Sequence, residues 1–227
     1  MPISAIIFDM DGLLVDTEPL YQASWQRAAR ALHYDIDDAL YARFIGRPTT
    51  VCETILVETL GSEFPLEAFR QQWPQAWRHE VDRVGVVVKP GVHQMLQFAR
   101  ERRLLVALAT SKTENPDFAQ LTLDRAGLAQ SFAVRVCGEE VACGKPAPDI
   151  FLEAAKRLGR PASECVALED SEAGILAVRD AGMYRGAGAH WPASAIARDA
   201  ARRVVPTLHE AREVVASLLE TQEQWAG

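Results

Sequence analysis

The chain has 227 residues, with 24 lysines and arginines against 31 aspartates and glutamates, for a formal net charge of −7. Hydrophobic residues make up 48% and charged residues 24%, the balance of a globular protein with a real core rather than of a disordered chain. The acidic excess argues against broad nucleic-acid binding and against docking on an acidic membrane surface, both of which need a positive field, but it leaves room for local cations that hold an anionic substrate.

The first element is a short apolar run at residues 5–8, cut off by Asp9. No basic residue precedes it, so it reads as a buried strand rather than a signal peptide. From Thr17 to Val84 no strand is expected. Helical spacing runs instead over residues 20–32, 36–44, 50–60 and 66–81, and Trp25, Trp73 and Trp77 in this stretch read as its core. Residues 86–91 form a return hinge. Strands then follow at 104–109, 133–137 and 165–168, alternating with helices at 91–103, 118–126, 150–158 and 171–181. The last three helices are each closed by a glycine: Gly127, Gly159 and Gly182. The tail after Leu219 is polar and is expected to fray. Repeated strand–helix units with apolar strands predict an α/β fold built on a parallel sheet. The expected division is a core of residues 1–16 and 85–227 with a helical insertion at 17–84. No apolar run is long enough to cross a membrane. Cys52, Cys137, Cys143 and Cys165 contain no CxxC pair, so small buried thiols in a reducing cytoplasm are expected. Nothing in the pattern calls for more than a monomer or weak dimer.

In an open α/β sheet, ligands lie beyond the carboxyl ends of the strands. The first strand is followed by Asp9-Met10-Asp11-Gly12. Two carboxylates at that spacing can share one side of the chain, where their repulsion calls for a cation or a proton. Hard oxygen ligands suit magnesium, and the pair equally suits a nucleophile beside a general acid. A lone DxD is also an ordinary solvated turn, and the spacing excludes an EF-hand. The second strand leads into Thr110-Ser111-Lys112, whose hydroxyl and backbone N–H groups can hold a phosphate or simply cap a helix. After the third comes Gly144-Lys145-Pro146, which offers one positioned positive charge without the spacing of a P-loop. The fourth ends in Glu169-Asp170-Ser171, a second acid pair that also reads as an acidic helix start.

Acid pair, hydroxyl, lysine and acid pair, each after its own strand, is what magnesium-dependent phosphoryl transfer through a carboxylate needs. In this order the chain resembles the haloacid dehalogenase superfamily, in the branch of β-phosphoglucomutase and the small sugar-phosphate phosphatases. The stretches that carry the likeness run from Phe8 to Pro19, Thr110 to Lys112, Gly144 to Asp149 and Leu168 to Ile175. The resemblance implies a Rossmann-like parallel-sheet core with an inserted all-helical cap. It implies Asp9 as nucleophile and Asp11 as general acid and base. It further implies phosphate binding by Thr110, Ser111 and Lys145, and Mg2+ held by Asp9, the Asp11 backbone carbonyl and Asp170, with Glu169 in or near the outer shell.

Asp11 stands where dehalogenases lack an acid, which disfavours halide displacement. No lysine lies between Thr17 and Val88, which disfavours the Schiff-base chemistry of phosphonate-cleaving relatives. Tyr21 takes the place aligned with the hinge histidine of β-phosphoglucomutases. The expected function is hydrolysis of a small phosphorylated metabolite, with a phosphomutase and a non-catalytic binding protein as the rivals. The cap is expected to choose the substrate, with Arg47 as the foremost contact and Glu18 and Tyr21 as others. The five histidines show no ligand spacing and read as surface or core residues.

Overall fold

The computed structural model describes residues 3–47, 49–111, 116–188 and 203–223. Pro48, Lys112, the stretch from Thr113 to Asn115, and His190 lie outside them. The chain divides into two compact units, Met1–Asp16 with Val87–Gly227, and Thr17–Val86.

In the first unit, β1 (Ala5–Phe8) is buried at every residue, as its unbroken apolar sequence requires of a strand covered on both faces. It pairs in parallel with β4 (Leu105–Thr110) on one side and with β6 (Cys165–Glu169) on the other. β5 (Val134–Cys137) lies outside β4, while β7 (Tyr184–Gly188) and β8 (Arg203–Val205) extend the far side. The six-stranded order is therefore β5-β4-β1-β6-β7-β8. The chain builds outward on one side of β1 and then crosses back to build outward on the other. This places the topological switch point, where such sheets bind ligands, at β1 and β6. A second, two-stranded antiparallel pair joins β2 (Val15–Asp16) to β3 (Val87–Val88) at the boundary of the inserted segment.

Helices α5 (Val92–Glu101) and α6 (Pro116–Arg125) flank β4 in the chain, and one face of the sheet packs Ala5, Ile7, Ala107 and Ala109 against Ile150, Phe151 and Ala154 of α7 (Asp149–Arg157) and Ala177 and Val178 of α8 (Glu172–Asp180). Small residues on the strands let these helices approach closely, and the larger side chains of α7 fill the space. The glycines expected to stop helices, Gly127, Gly159 and Gly182, all have positive φ. The final helix, Leu208–Glu223, was not foreseen: it carries buried Leu208, Ala211 and Val215 and continues past Leu219, where fraying was expected.

The second unit is helical, with α1 (Glu18–Ala31), α2 (Asp38–Ala42), α3 (Thr49–Leu60) and α4 (Leu66–Val84). Trp25, Trp73 and Trp77 are buried in it, as expected of core residues. Trp25 packs edge-on against Phe69 at 5.2 Å, and Trp77 lies 4.3 Å from the Tyr21 ring. The Glu80 carboxylate of α4 is buried and accepts from Arg27 of α1 and from Arg83, both at 2.7 Å. No helix among the described residues is long and apolar enough to cross a membrane.

Candidate active site

Strand register assembles the site. Phe8, Leu108 and Leu168 lie side by side across β4, β1 and β6. The residues that follow them therefore lie at one level at the carboxyl end of the sheet: Asp9 just past β1, Ala109 and Thr110 closing β4, Glu169 closing β6 and Asp170 just past it. The backbone N–H of Asp9 donates to the Leu168 carbonyl at 3.0 Å, which continues the ladder one step beyond the strand.

Lys145 reaches this row from the loop after β5. Its Nζ donates to Asp9 Oδ1 at 2.5 Å, to Glu169 Oε2 at 2.8 Å and to the Ala109 carbonyl at 3.2 Å. All three N–H donors of the ammonium are thus engaged by groups from three neighbouring strand ends. Burial alone would lower the Lys145 ammonium, but the Asp9 and Glu169 carboxylates more than offset that and hold it above the ordinary lysine range.

The carboxylates outnumber the cation. Asp9, Glu169 and Asp170 offer oxygens that all lie within 4.8 Å of one another. Burial, then the Glu169 charge and in part Asp11, pushes the Asp9 carboxyl up to about 7 against the pull of Lys145. Burial, Glu169 and Asp9 likewise push Asp170 well above the ordinary carboxylate range. A compact set of hard oxygen donors carrying surplus negative charge fits a magnesium ion, whose charge would offset that repulsion.

Two glycines make the crowding sterically possible. Gly12, at φ +79°, would set a Cβ 2.0 Å from Asp170 Oδ2, so the turn after β1 lies directly against the acid that follows β6. A Cβ on Gly174 would fall 2.0 Å from the Glu169 Cδ. Glu169 Oε1 accepts from the Ser171 N–H at 3.0 Å and its hydroxyl at 2.6 Å, and Ser171 Oγ in turn accepts from Gly174 N at 3.1 Å to cap α8. The N-terminus of α8 therefore points its positive end at the acid pair.

Asp9, Lys145, Glu169 and Asp170 are brought together. Asp11 is half-buried and close enough to raise the Asp9 carboxyl. Thr110 is buried at the end of β4, and Ser111 beyond it is exposed. Arg47, Glu18 and Tyr21 belong to the helical unit. Arg47 is exposed on a loop whose Phe44 and Arg47 carbonyls accept from the Cys52 thiol at 3.5 and 3.7 Å. Glu18 accepts from the buried Tyr41 hydroxyl, which burial and that carboxylate raise above the usual phenol range. Tyr21 packs on Trp77 and Trp73. Sequence reasoning passed over Ser171, Gly12 and Gly174 as site residues. Serine at a helix start was the visible signal for the first; the close approaches of the glycines have no local signature.

Residues 3–182 match the family described as hydrolase, haloacid dehalogenase-like hydrolase, and the chain belongs to that family. Within it the chain is a phosphoric monoester hydrolase. It is 34% identical, over 81% of its length and 83% of the relative's, to a phosphorylated carbohydrates phosphatase of Thermotoga maritima. It is 28% identical to the β-phosphoglucomutase of Bacillus subtilis, over 92% of its length and 95% of that protein's. A solved structure from Thermotoga maritima, provisionally assigned as a β-phosphoglucomutase, is 31% identical and superposes with a TM-score of 0.81 over 95% of this chain and all of that one.

Proposed function

We propose that the chain is a magnesium-dependent phosphatase of small phosphorylated metabolites, sugar phosphates foremost, acting through a phosphorylated Asp9. The observation that carries this reading is the contact of Lys145 Nζ with Asp9 Oδ1 at 2.5 Å inside a cluster of further carboxylates. A carboxylate that is buried, paired with a positioned cation and crowded by like charge is equipped for nucleophilic attack rather than for solvation.

Asp9 attacks phosphorus, forming an Asp9 oxygen–phosphorus bond as the bond to the sugar oxygen breaks. Asp11 gives its proton to that leaving oxygen. It then takes a proton from the water that attacks phosphorus, and the Asp9–phosphorus bond breaks to release inorganic phosphate. Lys145, the Thr110 hydroxyl and the Ser111 backbone hold the phosphoryl oxygens in line. Asp9, the Asp11 carbonyl and Asp170 would hold magnesium, with Glu169 beside them, and the ion would supply charge neutralisation on the transferring group. Substrate choice is assigned to the helical unit, with Arg47, Glu18 and Tyr21 as its contacts. A cytoplasmic setting accords with the free cysteines among the described residues.

Magnesium-dependent release of p-nitrophenol from p-nitrophenyl phosphate, lost in Asp9→Asn, is the direct test. Activity that survives the substitution overturns the reading, and complete inactivity of the unmodified chain returns a binding role. A mutase reading draws on the likeness to β-phosphoglucomutases, against which stands Tyr21 in place of the hinge histidine. Incubation with a hexose 1-phosphate, magnesium and a trace of bisphosphate separates the two. Free phosphate appearing faster than isomer is the expected result. A screen of phosphorylated metabolites ranked by kcat/KM then identifies the substrate.

A further inference from the structure

Lys145 has a fourth neighbour that the reaction scheme does not use. Its Nζ lies over the Phe151 ring, 5.0 Å from the centroid. Phe151 is fully buried in the first turn of α7. The segment between them is built to hold this geometry. Ala147 N–H closes a turn on the Gly144 carbonyl at 3.0 Å, and the Pro148 carbonyl accepts from Phe151 N–H at 3.0 Å to start the helix. Pro146 and Pro148 restrict the backbone on either side of Ala147.

The chemistry of the contact differs from that of the other three. The N–H groups of Lys145 are all engaged by Asp9, Glu169 and the Ala109 carbonyl. A phosphoryl group that enters must take one of those donors, so the ammonium has to turn about its stem. A fourth hydrogen-bond acceptor would resist that turn. The face of an aromatic ring attracts a cation through its quadrupole without occupying a donor and with little dependence on rotation about the C–N axis. It also excludes water from the side of the ammonium it covers. An aliphatic residue of similar size would fill the same space in the core and supply none of this attraction.

We propose that Phe151 is a positioning residue for Lys145: its ring holds the ammonium at the phosphate-binding position while leaving the N–H donors able to pass to the substrate. The inference rests on the reading of Lys145 as a phosphate ligand and adds to it the group that keeps the lysine in place.

The test replaces Phe151 in the full chain by 4-fluoro-, 3,5-difluoro- and 3,4,5-trifluorophenylalanine, which drain the ring face stepwise and barely change its volume. Lys145→Ala is measured beside them. The expected result is a kcat/KM for p-nitrophenyl phosphate that falls with each fluorine, to about tenfold or about 1.4 kcal/mol in the trifluoro protein. Tm should stay within about 2 °C throughout. Phe151→Leu should fall at least as far as the trifluoro protein, and Phe151→Tyr should retain most of the activity. A flat fluorine series beside an inactive Lys145→Ala overturns this inference alone, as does a loss that follows a falling Tm instead of the fluorine count. Full activity in Lys145→Ala overturns the reading of the site and this inference with it.

Discussion

Among the described residues, the carboxylates of Asp9, Asp11, Glu169 and Asp170 stand against the ammonium of Lys145, where β1 and β6 end. Burial and mutual repulsion raise the Asp9 and Asp170 carboxyls, so without a metal the folded protein binds protons there more tightly than the unfolded chain does. A raised carboxyl pKa contributes stability that is fully present below the unfolded value and is lost as pH rises through the folded value. For Asp9 that loss runs upward from the ordinary carboxylate value of about 4 and is complete above about 7. In chelator, therefore, Tm should fall between pH 5 and 8, and magnesium should restore it, with a larger increment at pH 8 than at pH 5. A magnesium increment independent of pH would contradict this. By the same argument Asp170→Asn, which removes one charge and keeps the shape, should melt a few degrees above the unmodified chain in chelator at pH 8. It should also lose the magnesium response and at least a hundredfold in kcat/KM.

At the scale of elements, α8 joins the acid pair to the helix that follows it. Gly174 lies within that helix, where alanine is the better helix former by about 1 kcal/mol. A Cβ there would nonetheless meet Glu169 at 2.0 Å. Gly174→Ala is thus expected to lose both stability and activity, and because propensity acts in the opposite direction, a lower midpoint in urea isolates the displacement of Glu169. In the helical unit, the buried Glu80 carboxylate between Arg27 and Arg83 ties α1 to α4. Its replacement by alanine should cost about 1–3 kcal/mol in the same measurement, less than a fully buried pair because both arginines are about half exposed.

Across the whole molecule, the inserted unit leaves and returns through β2 and β3, which pair Val15 with Val88 and Asp16 with Val87. The two ends are therefore neighbours on an antiparallel ladder, the geometry a two-residue Asn-Gly turn closes. A chain with residues 17–86 replaced by Asn-Gly is expected to keep a cooperative thermal transition and the far-ultraviolet circular dichroism of an α/β sheet. Measured against a panel of phosphorylated metabolites, it should lose discrimination between them, since Arg47, Glu18 and Tyr21 leave with the insertion. Retained discrimination would move substrate choice to the first unit.

The apolar runs of β1, β4, β5 and β6 and the helical periodicity of the insertion were legible because burial and period are local properties of a sequence. The edge strands were not. Tyr184–Gly188 is too rich in glycine to show a pattern, and Arg203–Val205 too short, so pairing with a neighbour alone makes them strands. The final helix carried the right spacing at Leu208, Ala211 and Val215, but the polar residues at its end read as a free tail. Asp9, Lys145, Glu169 and Asp170 could be named from their order along the chain. That Lys145 spans Asp9 and Glu169, lies on Phe151, and that Gly12 and Gly174 admit the acids follows only from parallel register and close packing. These bring together groups up to 161 residues apart, Asp9 and Asp170, and no local pattern encodes such distances.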